Sequence, residues 1–350
     1  MKINYFLCVT EYHILMSILL AIEEFNTKDY RNVVVLCNSG RFNNKNYDLS
    51  QIGNVEYRVY PQEHINSSHF IEEVCNNCTG GLFLFNLNNP HFLYMCFKLK
   101  LSGQATTSFV QEGLASYNYR HFSLKQRIGL LKNNLSIIWN AGIRDVGFYI
   151  NFFGVKGCFG RMFEYYDKAI DSPLVDCFWL SFPQDANYGK NKLKQIPRFS
   201  KKSRDVANVF FNYQDFTSLR TNDIIFIDQE IEGSFDFISA LSQKFVDSNI
   251  YVKLHPKTPK EWAIEFERNQ NVHVIKSLEG VPIELFLQNI IHVVVLTPFS
   301  SALLMNNCDC RYYYTYKWFI NNGFNIGAKT LMTPGQHIKC IESINQIELY

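Results

Sequence analysis

The sequence IYVKLHPK at residues 250–257 decides the fold that we predict for the second half of the chain. Its apolar first half is typical of a short buried strand in a parallel sheet. The strand is followed directly by His255 and Pro256, and lysines at positions 253 and 257 flank this pair. In an open α/β sheet, ligands bind at the carboxyl ends of the strands. We therefore expect the His255 imidazole to meet an anionic group such as a phosphate.

The rest of the second half alternates apolar runs with helical spacing, which predicts a mostly parallel sheet. Strands are predicted at residues 223–228, 249–254, 272–275 and 290–296, and helices at 235–246, 262–269 and 282–288. The sequence TPFSS at residues 297–301 then opens a further helix that runs to Asn306. The tail from Lys329 to Tyr350 has weaker helical spacing, and we predict that it is also helical.

Three features of this half fit one ligand. Ser300 and Ser301 lie at a helix start, where free backbone N–H groups and the helix dipole favour an anion. Glu284 lies in the first turn of the helix that begins near Pro282, where a carboxylate can accept hydrogen bonds from a vicinal diol such as ribose. With His255, these residues would bind a ribonucleoside monophosphate. Each also has a plainer interpretation, because Ser300 can be only an N-cap, Glu284 can complement the helix dipole, and His255 can be an ordinary loop residue.

The first half has the same alternation of strands and helices. Strands are predicted at residues 3–9, 32–37, 55–60, 81–86 and 107–110. The turn from Thr10 to His13 leads the first strand into a helix with apolar spacing from Ile14 to Phe25. A strand that passes through a short polar turn into a helix is the opening of a Rossmann-like unit. We therefore predict a second parallel α/β domain here.

Glu112 is the candidate base of the first half. It follows an apolar strand and precedes Gly113, which lets a ligand come close to the backbone. A carboxylate at that edge can accept the proton of a sugar hydroxyl. Acid–glycine pairs recur at Glu232 and Glu279, so the pair alone is a weak motif. Only Glu112 lies in the first domain, and there we expect it to face His255 across a cleft.

Length and composition limit the class of protein. A chain of 350 residues favours two domains of about 150–200 residues each. Hydrophobic residues make up 47% and charged residues 19%, which is ordinary for a folded chain, and the net charge of +2 argues against a nucleic-acid partner. We place the domains at residues 1–188 and 223–328, with a basic linker at 189–222 and a helical tail at 329–350, and we expect the tail to pack back on the first domain.

The cysteines and the start of the chain indicate a compartment. Of the ten cysteines, Cys75 and Cys78 have metal-site or redox spacing but no second pair, so we interpret the cysteines as buried reduced residues. Reduced thiols favour the cytoplasm. The apolar start is interrupted by Glu11 and His13 and has no cleavage site, so we expect no export signal. No uncharged apolar run is long enough to predict a membrane-spanning helix.

Two stretches of the chain are rich in cations. Between Arg120 and Met162 the only acid is Asp145, and aromatic residues such as Trp139 alternate with the basic ones. This stretch could rest on an anionic membrane surface, line an acceptor cleft, or be a solvated helix face with a buried opposite side. Residues 189–204 carry seven cations and no acid, which is typical of a solvated linker and also fits contact with an anionic surface.

The order of the short motifs resembles that of bacterial sialyltransferases of glycosyltransferase family 52 and the related polysialyltransferases. That group has an acid-acid-Gly motif in its first domain, a His-Pro motif in its second, and a Ser-Ser or Ser-Thr motif after a later strand. The matching residues here are Gln111-Glu112-Gly113, His255-Pro256 and Ser300-Ser301. The opening FLCVTEYHIL at residues 6–15 resembles the family's first strand and turn, so the resemblance spans nearly the whole chain. Gln111 departs from the pattern, but the acid next to glycine is kept.

The resemblance implies a GT-B fold, with two Rossmann-like domains whose parallel sheets face each other across a central cleft. It implies CMP-sialic acid as donor and Glu112 as the general base of an inverting transfer, with His255 hydrogen-bonding or protonating the departing phosphate. In this scheme Ser300 and Ser301 hold that phosphate. Pro256 and Glu284 complete the nucleotide site, and Thr10, Gln111 and Gly113 lie near the acceptor or the donor sugar.

A donor with one phosphate has little need of a divalent metal, and we expect no metal or other cofactor. The sequence has no convincing Asp-x-Asp after a strand; the nearest match, Asp228-Gln229-Glu230, is expected to shape the cleft. The expected acceptor is a galactose-terminated bacterial surface glycan, lipopolysaccharide or capsule, reached from the inner face of the plasma membrane. Polymerisation of sialic acid, transfer of another nonulosonic acid, and a non-catalytic glycan-assembly protein are the alternatives.

Overall fold

The structure is a computed structural model of the chain. It describes residues 1–38, 55–86, 89–117, 123–153, 174–186, 192–213, 219–255, 258–259, 261–275, 281–305, 307, 309–326, 335 and 338–350. The chain divides into two compact units, Met1–Phe210 (unit 1) and Phe211–Tyr350 (unit 2).

Unit 1 is built on a seven-stranded sheet. Its strands are β1 (Lys2–Cys8), β2 (Tyr30–Asn38), β3 (Val55–Pro61), β4 (Gly81–Leu84), β5 (Thr106–Val110), β6 (Cys177–Leu180) and β7 (Leu193–Gln195). The order is β3-β2-β1-β4-β5-β6-β7, and every neighbouring pair is parallel. The helices are α1 (Glu11–Glu23), α2 (Gln62–Ile65), α3 (Ser68–Asn77), α4 (Pro90–Ser102), α5 (Leu124–Asn140), α6 (Val146–Phe153) and α7 (Lys201–Phe210).

Unit 2 is built on a six-stranded sheet. Its strands are β8 (Ile224–Ile227), β9 (Ile250–Lys253), β10 (Val272–Val274), β11 (Val294–Thr297), β12 (Arg311–Tyr314) and β13 (Lys339–Cys340). The order is β10-β9-β8-β11-β12-β13, again parallel throughout. The helices are α8 (Ser234–Lys244), α9 (Trp262–Phe266), α10 (Ile283–Gln288) and α11 (Tyr316–Asn321). The prediction of two parallel α/β domains is confirmed.

The sheets form because their strands are buried on both faces. β4, β8 and β11 are buried at every position, which is the pattern of a parallel strand covered by helices on both sides. α1 is buried from His13 to Ile22, because it lies against β1 and is itself covered by α7. Thr10 begins this helix as its N-cap, and its hydroxyl accepts a hydrogen bond from the backbone N–H of His13 at 3.3 Å.

The predicted linker is folded in part. Residues 189–222 include β7, which adds an edge strand to the sheet of unit 1, and α7, which packs on α1. The buried positions of α7 are Ser203, Ala207 and Phe210, one face of the helix. The described residues of this region up to Phe210 belong to unit 1. Their high cation content hid a helix, whose buried stripe is short and contains a serine and an alanine.

The prediction of a helical tail was wrong for the residues that the structure describes in it. Residues 338–350 form β13 and a short 3-10 turn, Ile344–Gln346, which Ser343 and Gln346 close as a capping box. Ile341, Ile344 and Ile347 are buried in the core of unit 2. Their spacing of three resembles a helical stripe, but an extended segment with one tight turn also buries residues at that spacing.

Candidate active site

Three polar residues of unit 2 lie at the ends of adjacent strands, and two of them, His255 and Ser300, are predicted site residues. His255 follows β9, Asp228 follows β8, and Ser300 lies in the loop after β11. Because β9, β8 and β11 are neighbours in a parallel sheet, their carboxyl ends meet at one edge. After β8 the chain adds β9 and β10 on one side of that strand, and it later adds β11 on the other side. The edge at the carboxyl ends of β8 and β11 is therefore the topological switch point, where doubly wound sheets bind ligands. Pro256 lies outside the described residues.

The carboxylate of Asp228 braces the loop that carries His255. Asp228 is completely buried, and its two oxygens accept hydrogen bonds from the hydroxyls of Ser234 at 2.9 Å and Thr258 at 2.8 Å and from the backbone N–H of Glu230 at 3.1 Å. The backbone N–H of Thr258 in turn donates to the carbonyl of His255 at 2.9 Å. A buried carboxylate needs such donors to be stable. Asp228 therefore fixes the position of His255 through Thr258, a role that is not evident from the sequence.

Ser300 is tied into the turn after β11. Its hydroxyl accepts from the backbone N–H of Ala302 at 3.2 Å, and its own N–H donates to the Thr297 hydroxyl at 3.2 Å. The predicted helix is a 3-10 helix, Ser301–Met305. Ser300 thus acts as a cap, the plainer of the two interpretations of this serine. An accepting hydroxyl keeps its own proton, which it can still donate to an anion.

Glu284 lies in the first turn of α10, as predicted, but it is buried to 7% exposure. Burial raises the pKa of its carboxyl to about 7, and a hydrogen bond from its own backbone N–H opposes this only partly. α10 packs against the 3-10 helix that contains Ser301, so the two elements belong to one side of the sheet. A buried carboxyl with a strongly raised pKa near a ligand edge is a candidate functional group.

Glu112 of unit 1 follows β5, and its side chain is 48% exposed. The hydroxyl of Ser116 holds the surrounding turn, because it accepts from the backbone N–H of Glu112 at 3.2 Å and of Gly113 at 3.4 Å. Two residues before the glycine, Gln111 is fully buried. The turn therefore presents one accessible carboxylate on a fixed backbone.

The hydrogen bonds of Gln111 explain its departure from the acid-acid-Gly motif. Its amide oxygen accepts from the Tyr117 hydroxyl at 2.6 Å and from the backbone N–H of Ser181 at 2.9 Å. Its amide nitrogen donates to the Tyr12 hydroxyl at 3.4 Å. The neutral amide makes these bonds without placing a charge at a fully buried position. Gln111 is thus a structural residue that connects the end of β5 to α1.

His13, which no sequence motif singles out, lies beside Glu112. The imidazole Nε2 is 3.7 Å from Glu112 Oε1, and the His13 side chain is only 1% exposed. Burial lowers the pKa of His13 below its usual value, although the nearby Glu112 opposes this shift. The sequence alone shows His13 only as a polar interruption of an apolar helix, and its contact with a residue 99 positions later needs the fold.

The described part of the chain contains no group of three or more His, Cys, Asp or Glu residues that could hold a metal ion. Burial raises the pKa of Cys75 to about 11 and that of Cys78 to about 12. Raised pKa values of this kind keep a thiol protonated and unreactive near pH 7. Cys78 is buried, as interpreted, whereas Cys75 is only partly buried.

Among solved structures, the chain is similar to an alpha/beta-galactoside alpha-2,3-sialyltransferase from the luminous marine bacterium Photobacterium phosphoreum. The two have 13% sequence identity and a TM-score of 0.52, and the similarity covers 90% of this chain and 91% of that chain. ADP-heptose lipopolysaccharide heptosyltransferase II of E. coli aligns over 90% of this chain and 85% of that chain, with 12% identity and a TM-score of 0.37. The predicted GT-B type, with two Rossmann-like domains, is confirmed.

No curated protein sequence matches the chain. The profile of the family described as alpha-2,8-polysialyltransferase matches residues 4–309. That range includes both sheets up to the turn after β11, and with it Glu112, His255, Glu284 and Ser300.

Proposed function

Because the chain belongs to the alpha-2,8-polysialyltransferase family, we propose that it transfers sialic acid from CMP-sialic acid to a galactose-terminated glycan of a bacterial surface, lipopolysaccharide or capsule. The single observation that supports a CMP-linked donor is the set of residues at the switch-point edge of unit 2. There an imidazole, serine hydroxyls and a buried carboxyl follow neighbouring parallel strands or lie on elements packed beside them. These groups suit one phosphate and one ribose.

In the proposed reaction, Glu112 accepts the proton of an acceptor hydroxyl while the hydroxyl oxygen forms a bond to the anomeric carbon of sialic acid. The bond between that carbon and the phosphate oxygen of CMP breaks, and the configuration inverts. His255 hydrogen-bonds or protonates the departing phosphate, Ser300 and Ser301 hold it, and Glu284 binds the ribose. Stabilising charge that develops on a leaving group is where a protein can contribute most to the rate. No metal or other cofactor takes part in this proposal.

A second acceptor class has support of its own. The family profile is that of enzymes described as alpha-2,8-polysialyltransferases, which favours a sialic acid residue as acceptor and a polymer as product. The cations of α7 would then lie near a polyanion. Product length separates the two, because a galactoside acceptor gives a single addition, whereas a sialylated acceptor gives a ladder. Transfer of another nonulosonic acid would use the same donor site.

A panel of nucleotides tests the donor class. We expect CMP to raise the melting temperature clearly more than UDP, GDP or ADP, because the site holds one phosphate. CMP-sialic acid should also release CMP slowly without acceptor. The His255→Ala variant should lose most of both effects. Equal shifts for all four nucleotides, or a His255→Ala variant that binds and turns over like the wild type, would contradict the proposed site. Stable binding without any release of CMP would instead indicate a non-catalytic assembly protein.

We also propose that the protein works at the cytoplasmic face of the inner membrane. None of the helices described in the structure is long and apolar enough to cross a bilayer. On α5, the exposed apolar side chains Leu124, Ile128, Leu135 and Trp139 lie within about 60° of one another on the helical wheel. We call these four residues the α5 surface.

The charges around the α5 surface suit an anionic membrane. Lys125 and Lys132 are exposed beside it, the Arg144 guanidinium lies 3.7 Å from the Trp139 ring centroid, and residues 123–144 contain no acid. An apolar face with flanking cations is the pattern of a helix that lies in an anionic membrane surface.

Vesicle sedimentation tests this membrane contact. We expect binding to vesicles that contain phosphatidylglycerol, weaker binding to pure phosphatidylcholine, and loss of binding in Ile128→Asp, since a charge in the apolar face opposes insertion. The matched control is Val209→Asp, which changes an exposed apolar residue of α7 in the same unit. If both variants sediment like the wild type, the α5 surface is not the membrane contact.

A further inference from the structure

We propose that His13 is a positioning residue, which donates a hydrogen bond from Nε2 to one carboxylate oxygen of Glu112 and so aims the other oxygen at the acceptor hydroxyl. The inference rests on the proposed role of Glu112 as the base. Nε2 of His13 lies 3.7 Å from Oε1 of Glu112. At that distance the two atoms face each other without a hydrogen bond, and a shift of the exposed Glu112 side chain by less than about 1 Å would form one.

The backbone decides which nitrogen of His13 carries the proton. The N–H of Val9 donates to Nδ1 at 3.2 Å, and a backbone N–H can only donate. Nδ1 is therefore the acceptor, and in the neutral ring the proton lies on Nε2. Burial lowers the pKa of His13, which favours this neutral ring. His13 thus presents an N–H toward Glu112.

The surroundings of His13 hold that N–H in place. The imidazole stacks on Phe85, with ring centroids 4.4 Å apart and an interplanar angle of 9°. Its backbone N–H is bound to the N-cap Thr10, so the residue belongs to a fixed first helical turn. The charged groups that act on His13 are Glu112 from the end of β5 and Glu11 from its own helix. An imidazole confined in this way can orient a mobile carboxylate without moving itself.

The unsatisfied state of Nε2 distinguishes this arrangement from an ordinary core histidine. Nε2 is buried and has no hydrogen-bond partner in the described structure. Buried donors are normally paired, because an unpaired one loses its hydration without compensation. The carboxylate of Glu112 is the group that Nε2 faces, with Oε1 3.7 Å away. A donor left open toward a candidate base suggests that the bond forms when the acceptor is bound and orders Glu112.

Two variants of His13 separate positioning from support of the fold. In His13→Asn, the amide oxygen can accept from Val9 in place of Nδ1, but the side chain is too short to reach Glu112. In His13→Gln, the longer amide can place an N–H where Nε2 lies. We expect His13→Asn to lower kcat for transfer by about 10- to 100-fold, the size of effect seen when the partners that orient metal ligands are removed, with CMP affinity unchanged. We expect His13→Gln to restore most of that loss.

The controls separate a wrong role for His13 from a wrong role for Glu112. Melting temperatures should fall by similar amounts in both variants, since both lose the stacking on Phe85. If kcat falls equally in both, or falls in neither, the positioning role of His13 is overturned. In the Glu112→Gln background, His13→Asn should cause no further loss, because residues that act as one unit are not additive. If Glu112→Gln itself transfers normally, the proposed base is wrong. If it is inactive while His13→Asn is like the wild type, only the inference about His13 fails.

Discussion

Glu112→Gln is expected to abolish transfer of sialic acid and to leave the affinity for CMP nearly unchanged. An amide at position 112 cannot accept the proton of the acceptor hydroxyl, and the loss of a general base typically costs about 10²- to 10⁴-fold in rate. CMP affinity should persist because the groups that we assign to the nucleotide, His255, Ser300 and Glu284, all lie in unit 2. Initial rates of transfer, together with calorimetric titration of CMP, measure both effects on the same preparation.

The matched control for this substitution is Glu11→Gln. Glu11 is an acid in the same unit, and its charge also acts on His13. It lies in the first turn of α1 and has no proposed contact with the acceptor. We expect this variant to keep transfer close to that of the wild type. Normal transfer by Glu112→Gln would refute the base assignment, and equal losses in both variants would show that the net negative charge near α1 matters, not a base.

Glu284→Gln is expected to make unit 2 more stable at alkaline pH and to weaken CMP binding. The pKa of Glu284 is raised from 4.5 to about 7, so between these values the folded state binds a proton that the unfolded state has released. Stability from this group is therefore full below about pH 4.5 and is lost as the pH rises through 7. With 1.36 kcal/mol for each pKa unit, the penalty at pH 8.5 is roughly 3 kcal/mol. Glutamine, which does not titrate, should remove it.

Denaturant unfolding at pH 5 and pH 8.5 measures this effect, with and without CMP. The gain from Glu284→Gln should be large at pH 8.5 and small at pH 5. CMP should stabilise the variant less than the wild type, because the amide offers the ribose hydroxyls one acceptor oxygen where the carboxylate offers two. Glu232→Gln is the control, since Glu232 is an exposed acid of the same unit. If the stability of Glu284→Gln depends on pH as that of the wild type does, the pKa of Glu284 is not raised in the folded protein. If its CMP affinity is unchanged, Glu284 does not contact the ribose.

The alternation of apolar runs was enough to predict the first five strands of unit 1 and four of the six strands of unit 2, and to place His255 and Ser300 at strand ends. It did not predict β6, β7, β12 or β13. Buried parallel strands are nearly continuous in hydrophobicity, and the sheet edge follows from their direction. The environment of Glu284 was not predictable in the same way. Its position in the first turn of α10 follows from Pro282, but its burial depends on how α10 packs against the 3-10 helix after β11. That is a tertiary contact with no local sequence signal.

The hydrogen bonds of Asp228 and the contact of His13 with Glu112 were likewise not predictable from the sequence. Asp228 reads as a strand-end acid, and only the fold shows that its oxygens are taken by Ser234 and Thr258. The pairing of His13 with Glu112 joins the first helix to the end of the fifth strand. In α7 the sequence was misleading, because strongly charged positions outweighed a narrow buried stripe.

The docking of α7 on α1 has a consequence for the order in which the protein can fold during synthesis. The hydroxyl of Ser200, just before α7, donates to the carboxylate of Glu23 at 2.5 Å, across 177 positions of the chain. Parallel sheets gain most of their contacts from such distant pairs, which slows folding. α7 therefore cannot pack on α1 until residues up to Phe210 have left the ribosome. Until then the apolar positions that α7 covers are open to chaperones or to other nascent chains.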